Sequence, residues 1–224
     1  MEDELVRLLG VEVGLLPPAD VITVIATYRR PVQLQAAVAS ALAQTYDDHR
    51  VVVVDDGGGL REPLPSDPRL SVIKLPRNVG VAGVVRNVAI RLSSSRLVAF
   101  LDDDNVWEAN HLALAVAQHD EHVAVTYSQV RRVDGEGNLV DYLGAPFDRS
   151  ALRQRPLTDT NALVVRRDRH VRFSRVPRGR EDFPAEDWEL LWRLSRRGDV
   201  RFIPQVTVTY VQHGGSYYSV WGAA

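Results

Sequence analysis

Cysteine is absent from all 224 residues, which excludes disulfides, thiol nucleophiles and cysteine-ligated zinc together. Lysine is almost absent too. Lys74 is the only one, so arginine carries nearly all of the positive charge, a bias we attribute to composition rather than to recognition chemistry. No apolar run approaches the ~20 residues that a membrane-spanning helix needs. The first residues, Met1-Glu2-Asp3-Glu4, are acidic and lack the apolar core of a secretory signal. The formal net charge of −2 gives no general pull toward nucleic acid. These absences predict a soluble, cytoplasmic, enzyme-sized chain, either one large domain or two closely merged halves.

What is present alternates. Residues 21–26, 51–54, 70–75 and 97–101 are β-branched or continuously apolar runs, and helical patterns over residues 31–44 and 81–92 lie between them. Pro31 sits well in a first helical turn. Strands that are apolar on both faces and interleaved with helices predict an α/β fold around a mostly parallel sheet. The pattern then changes. Residues 123–133 and 139–142 flank Asp134-Gly135-Glu136-Gly137-Asn138 and read as a hairpin. A helix over 186–197 stops at Gly198, and β segments follow at 200–203 and 206–211. The predicted organisation is an appendage over 1–20 and a single domain over 21–224. Within it, a nucleotide-type half (21–104) merges with a mixed C-terminal half (105–224).

The most informative motif is Asp102-Asp103-Asp104-Asn105, placed directly after the apolar strand 97–101. Three carboxylates are thereby delivered to the C-terminal edge of a parallel sheet, where ligands bind. Like charges this close repel, and burying them unpaired is costly. A hard divalent cation, Mg²⁺ or Mn²⁺, would neutralise them. The alternative is a solvated acidic turn capping a helix that begins near Asn110. Two further strand ends are polar: Thr27-Tyr28 after the first strand and Asp55-Asp56 after the second. A tyrosine there can offer its face to a base, and a carboxylate can accept from a pyrimidine imide N–H. Singly, Tyr28 also fits a half-buried packing role and Asp56-Gly57 an ordinary turn. Jointly they sit at one sheet edge. Gly57-Gly58-Gly59 has neither of the phosphate-loop spacings and reads as a turn.

The ordered set Ile25-Ala26-Thr27-Tyr28-Arg29-Arg30, Val53-Val54-Asp55-Asp56-Gly57, Asn78-Val79-Gly80 with Arg86-Asn87, Leu101-Asp102-Asp103-Asp104-Asn105 and Glu186-Asp187-Trp188 resembles family-2 glycosyltransferases of the GT-A fold. The resemblance spans residues 20–212. It implies inverting transfer of a sugar, a hexose by expectation, from a nucleoside diphosphate sugar to an acceptor hydroxyl, with Mn²⁺ or Mg²⁺ bridging the diphosphate. Carried over by position, Thr27 and Tyr28 are implied nucleoside contacts and Asp56 the base-reading carboxylate, which favours UDP- or dTDP-type donors. Arg86 falls near the donor, Asp102 and Asp103 near the ribose and sugar, and Asp104 at the metal. The chain departs from the common pattern at Gly58, where serine is usual, and at Asn105, where a further aspartate is frequent.

Inverting displacement needs a base for the acceptor hydroxyl. Asp187 is the family-matched candidate and Glu186 the reserve, although both could simply complement a helix N-terminus. His213 is a second candidate for the metal, in a Gly214-Gly215 loop able to close over the donor. The aromatic tail from Tyr217 to Trp221 could stack on a sugar as a lid, but reads better as packing or a homodimer contact. The arginine-rich stretch over 166–180 reads as a solvated basic face and is too poor in aromatics to indicate nucleic-acid binding. The acceptor is unspecified: a saccharide, a lipid-linked carrier or a small molecule. Two other classes stand beside the transferase, a sugar-phosphate nucleotidyltransferase and a non-catalytic nucleotide-sugar-binding module. The first would want a glycine-rich loop with an activating basic residue after the first strand, which Thr27-Tyr28-Arg29-Arg30-Pro31 matches poorly.

Overall fold

The computed structural model describes residues 2–10, 16–176 and 186–212. Its centre is the parallel group β1 (Val21–Thr27), β2 (His49–Asp55), β3 (Leu70–Lys74) and β4 (Leu97–Asp102), in the order β3-β2-β1-β4. Every residue of β1 except Ala26 is buried, as is β4 from Leu97 to Leu101. That double-sided burial is why these strands read as unbroken apolar runs. The chain leaves β1 toward β2 on one side and reaches β4 on the other, which opens a crevice at their carboxyl ends. Register fixes what meets there: Thr27 pairs with Asp55, and Ala26 with Asp102.

Helices cover this group. In α2 (Pro31–Leu42), Leu34, Ala37, Val38 and Ala41 are buried at helical spacing against the sheet. α3 (Ala82–Leu92) is buried over nearly its whole circumference, because a short helix, α1 (Glu2–Leu8), packs on its outer side with Leu5 fully buried and Val6 nearly so. Residues 2–10 therefore contribute to the core as well as preceding the sheet.

The second half continues the same sheet with mixed direction. The hairpin of β6 (Val123–Val133) and β7 (Leu139–Leu143) is antiparallel as expected, and its loop is tied by the Asp134 carboxylate accepting from the Glu136 and Asn138 N–H groups. β8 (Leu163–Arg166) lies antiparallel between β4 and β6. The segments expected at 200–203 and 206–211 form one strand, β9 (Asp199–Val211), parallel to β6. Its register slips where Pro204 and Gln205 are inserted, since proline cannot donate to a ladder. β5 (Val106–Trp107) pairs with the end of β9, α4 (His111–Gln118) follows it, and α5 (Arg149–Leu152) is a single turn. α6 (Glu186–Leu194) ends earlier than the residue expected from sequence. The sheet is thus parallel in its first half and mixed in its second, as the sequence implies. Among the described residues no helix is long and apolar enough to cross a membrane.

Leu5→Ala tests the role of α1. We expect a loss of ~2–5 kcal/mol in denaturant unfolding, whereas a change below about 0.5 kcal/mol, the range of ordinary surface substitutions, would show that α1 contributes nothing to the core.

Candidate functional site

The crevice between β1 and β4 is a cavity of about 440 Å³ whose lining includes Thr27, Tyr28, Arg30, Asp56, Arg86, Asp102, Asp103, Asp104 and Glu186. Nine residues from five separate sequence regions therefore line one cavity.

At one end, the paired aspartates after β2 have different work. The Asp55 carboxylate accepts from the Gly58 and Leu60 N–H groups, each at 2.8 Å, and closes the turn. Asp56 points into the cavity, where it accepts from the N–H of Val79 at 2.8 Å, the N–H of Gly80 at 2.9 Å and Nδ2 of Asn78 at 3.2 Å. Burial pushes its pKa above the usual carboxylate value, against those N–H groups. Gly57 makes this fit possible. Its φ is +71°, and a Cβ would lie 2.4 Å from the Arg77 carbonyl carbon. At Gly58 a Cβ would meet the Arg29 backbone nitrogen at 2.9 Å, which accounts for the absent serine. Tyr28 is 39 % exposed beside the cavity, with the Arg29 guanidinium 5.0 Å from its ring centroid.

At the other end lies the acidic triplet. It caps no helix: the first turn of α4 carries no acid, and Asn110 makes no capping bond. Instead arginines face it. Arg30 donates to Asp103 at 3.2 Å and to Asp104 at 2.6 Å. Arg86 donates to Asp102 at 2.5 Å and to Glu186 at 3.2 Å, with its guanidinium 5.0 Å from the centroid of the Phe173 ring. Thr27 Oγ1 donates to Asp103 at 2.7 Å. Even so, burial and the charges of Asp104 and Asp102 push Asp103 up to about 6. Asn105 has a structural use, donating to Asp104 at 3.0 Å and accepting from the N–H of Val211 at 2.9 Å.

Among the described residues no three His, Asp or Glu side chains converge as a closed metal site would require. The donor set does fit an open Mg²⁺ or Mn²⁺ site, which takes one or two carboxylates and completes its shell with water and phosphate oxygens. The raised pKa of Asp103 identifies a cluster whose charged form a cation would favour. His213, the other metal candidate, and the 214–221 tail lie outside the described residues.

Glu186 and Asp187 open α6 above this end. Glu186 faces the cavity and pairs with Arg86. Asp187 is buried behind it: Oδ2 accepts from the N–H and hydroxyl of Thr160 at 3.1 and 3.2 Å, and Oδ1 from the N–H of Trp188 at 2.7 Å. Burial raises its pKa, and the charges of Glu186 and Asp159 add to the rise. Asp159, half-buried and with its pKa raised by desolvation and by the charge of Asp102, is not marked by any sequence motif. Nor are Thr160 and Asn161, which join it in a 3-10 turn (Thr160–Ala162). The one available signal was Asp159 as a turn-capping residue. Arg30 and Asn78 lie within motifs, but nothing in the sequence marks either as a site residue.

The sequence model for glycosyl transferase family 2 matches residues 22–174. WcaA of Escherichia coli strain K12, named as a glycosyl transferase of colanic acid biosynthesis, is 30% identical over 203 residues, covering 84% of this chain and 71% of its own. Chondroitin synthase of Escherichia coli is 30% identical over 194 residues, 79% of this chain but 26% of that protein. In structure, S. aureus TarS 1–349 in complex with UDP-GlcNAc superposes with a TM-score of 0.68 at 20% identity, covering 88% of this chain and 60% of TarS. Mannosyltransferase PcManGT from Pyrobaculum calidifontis, in complex with GDP-Man and Mn²⁺, gives 0.62 at 20% identity over 96% and 65% of the two chains. The chain belongs to glycosyl transferase family 2 and has the GT-A fold. It spans only 37% of the Escherichia coli glucosyltransferase WfgD and about a quarter of the chondroitin synthase.

Gly57→Ala tests the turn behind Asp56. We expect at least ~1–3 kcal/mol of lost stability in chemical unfolding, the usual cost of a non-glycine residue held in this region; an unchanged midpoint would contradict the geometry.

Proposed function

We propose that this protein is an inverting glycosyltransferase that moves a hexose from a UDP- or dTDP-type nucleoside diphosphate sugar to an acceptor hydroxyl. The observation that carries the reading is the single cavity with Tyr28 and Asp56 at one end, the acidic triplet at the other, and Glu186 with Asp187 above it. Complexes of structural relatives with UDP-GlcNAc and with GDP-Man and Mn²⁺ support a nucleotide-sugar donor and a divalent ion.

In this reading the Tyr28 face stacks on the base. Asp56 uses three of its roughly four acceptor positions on protein N–H groups and offers the last to a pyrimidine imide. Guanine presents its ring N–H to the same carboxylate only if its larger ring is displaced, so pyrimidines bind better. Asp102 and Asp103 meet the ribose and sugar. Asp104 would hold the divalent ion, which when bound would offset the charge of the leaving diphosphate. The acceptor O–H passes its proton to Asp187 as the new C–O bond forms at the anomeric carbon. The anomeric C–O bond breaks on the opposite face, and its electron pair leaves with the diphosphate. The raised proton affinity of Asp187 suits a base working near neutrality. Glu186 keeps a claim to this role because it, and not Asp187, lines the cavity.

Several outcomes follow. Asp104→Asn removes a direct ligand, so the gain in UDP affinity on adding Mn²⁺ falls by at least the ~10–100-fold seen when a supporting partner of a metal ligand is lost; calorimetry showing an unchanged Mn²⁺ effect would refute the assignment. A titration panel of UDP, dTDP and GDP ranks the pyrimidines first, and equal binding of GDP counts against Asp56. Asp187→Asn keeps UDP binding and loses transfer, while Glu186→Gln retains transfer; the reverse moves the base to Glu186. Because protonation disables a base, turnover falls as pH drops through a pKa raised above the ordinary carboxylate range. An acid limb near 4 would exclude Asp187. Release of pyrophosphate rather than a nucleoside diphosphate would point to a nucleotidyltransferase, and binding without turnover to a silent module.

A further inference from the structure

β8 runs antiparallel to β4, with Val164 opposite Ala99 and Val165 opposite Val98. The turn that feeds β8 is therefore carried to the same edge as the end of β4. Two adjacent residues of that turn grip the two acids assigned to opposite sides of the reaction. Thr160 gives Asp187 both its N–H and its hydroxyl. Asn161, with no exposed surface, accepts from the N–H of Asp102 at 2.6 Å and donates its Nδ2 to the Asp102 carboxylate at 3.1 Å. The turn is itself fixed from two sides. Asp159 accepts from the N–H of Asn161 at 2.8 Å, and the carbonyl of Asn161 accepts from the indole N–H of Trp107 at 2.8 Å.

We propose that this turn is a positioning element: Thr160 holds the base and Asn161 the donor-side aspartate, so one peptide unit sets the separation of attacking hydroxyl and donor. The inference rests on the reading of Asp187 as the base. Neither residue needs to touch substrate; each acts through the acid it holds. Such a link matters because reacting groups lose rate steeply when displaced by ~1 Å, and the alternative route between the two acids, through Arg86 and Glu186, uses long flexible side chains. The groups facing Asp187 are Glu186 on its own helix, Asp159 on the turn and Arg86 on α3. Removing the Thr160 hydroxyl leaves all three in place and takes away one donor that favours the charged carboxylate.

The test uses the full chain with Asp187 followed by carbon-13 titration of its carboxyl, and UDP with Mn²⁺ as the binding probe. Thr160→Val should move the Asp187 titration to higher pH, roughly a tenfold rise in proton affinity, and leave UDP affinity within about twofold of wild type, since no donor contact changes. Thr160→Ser should restore the titration. Thr160→Ala, which keeps the backbone donor, should repeat the shift and serves if the valine variant does not fold. Asn161→Ala should do the opposite, lowering UDP affinity by about tenfold without moving the Asp187 titration. An Asp187 titration identical in wild type, Thr160→Val and Thr160→Ala, or UDP binding unchanged in Asn161→Ala, overturns the proposal. Failure of the base reading shows separately, as transfer surviving in Asp187→Asn.

Discussion

A guanidinium with 4 % of its side chain exposed holds this site together. Arg86 lies on α3 over Phe173 and reaches Asp102 at the end of β4 and Glu186 at the start of α6. Taking such a charge out of water costs several kcal/mol, and only close, well-aligned carboxylates offset it. Each half of the fold supplies one of them. The end of β4 and the start of α6 are thus drawn to the same cation, and the cavity exists between them. Arg30 does similar work one step toward solvent, facing Asp103 and Asp104. The acidic triplet is therefore stable enough to be built without being fully satisfied, as the raised pKa of Asp103 records. Under the proposed function, a site in that condition would have affinity left for a cation and its phosphate ligands.

Much of this was legible in the chain for physical reasons. β1, β2 and β4 are buried on both faces, so they appear as continuous Val, Ile and Leu runs, and the polar residue ending each run marks the ligand edge directly. The triplet is contiguous, and Asp56 sits in a turn that glycine makes readable. What was hidden depends on distant partners. α1 has seven residues, too few for an isolated helix, and forms because α3 offers it an apolar side. β8 has four residues and merges into an arginine-rich stretch. Its antiparallel insertion is invisible locally, yet it brings Asn161 to Asp102 across 59 positions and Thr160 to Asp187 across 27. Arg30 meets Asp104 across 74. Counter-charges chosen by the fold leave little trace in a linear pattern.

The two departures from the family pattern have local explanations. Gly58 is required by the approach of the Arg29 backbone, itself in a left-handed conformation at φ 56°. Asn105 exchanges a carboxylate for an amide that can both donate to Asp104 and accept from Val211, a pairing that an aspartate could not make. Neither change removes a group that the proposed chemistry needs. Both tighten the frame around the acids: one fixes the turn beside Asp56 and the other ties Asp104 to the last strand.

Under the proposed function, the partly compensated acidic end of the cavity receives a divalent ion together with a pyrimidine diphosphate. Anomalous scattering from crystals grown with UDP and Mn²⁺ tests it most directly. One strong peak is expected in contact with the Asp104 carboxylate and the diphosphate, with the uracil beside Tyr28 and Asp56. UDP bound in the cavity with no peak at Asp104, or Mn²⁺ bound only elsewhere, would contradict it.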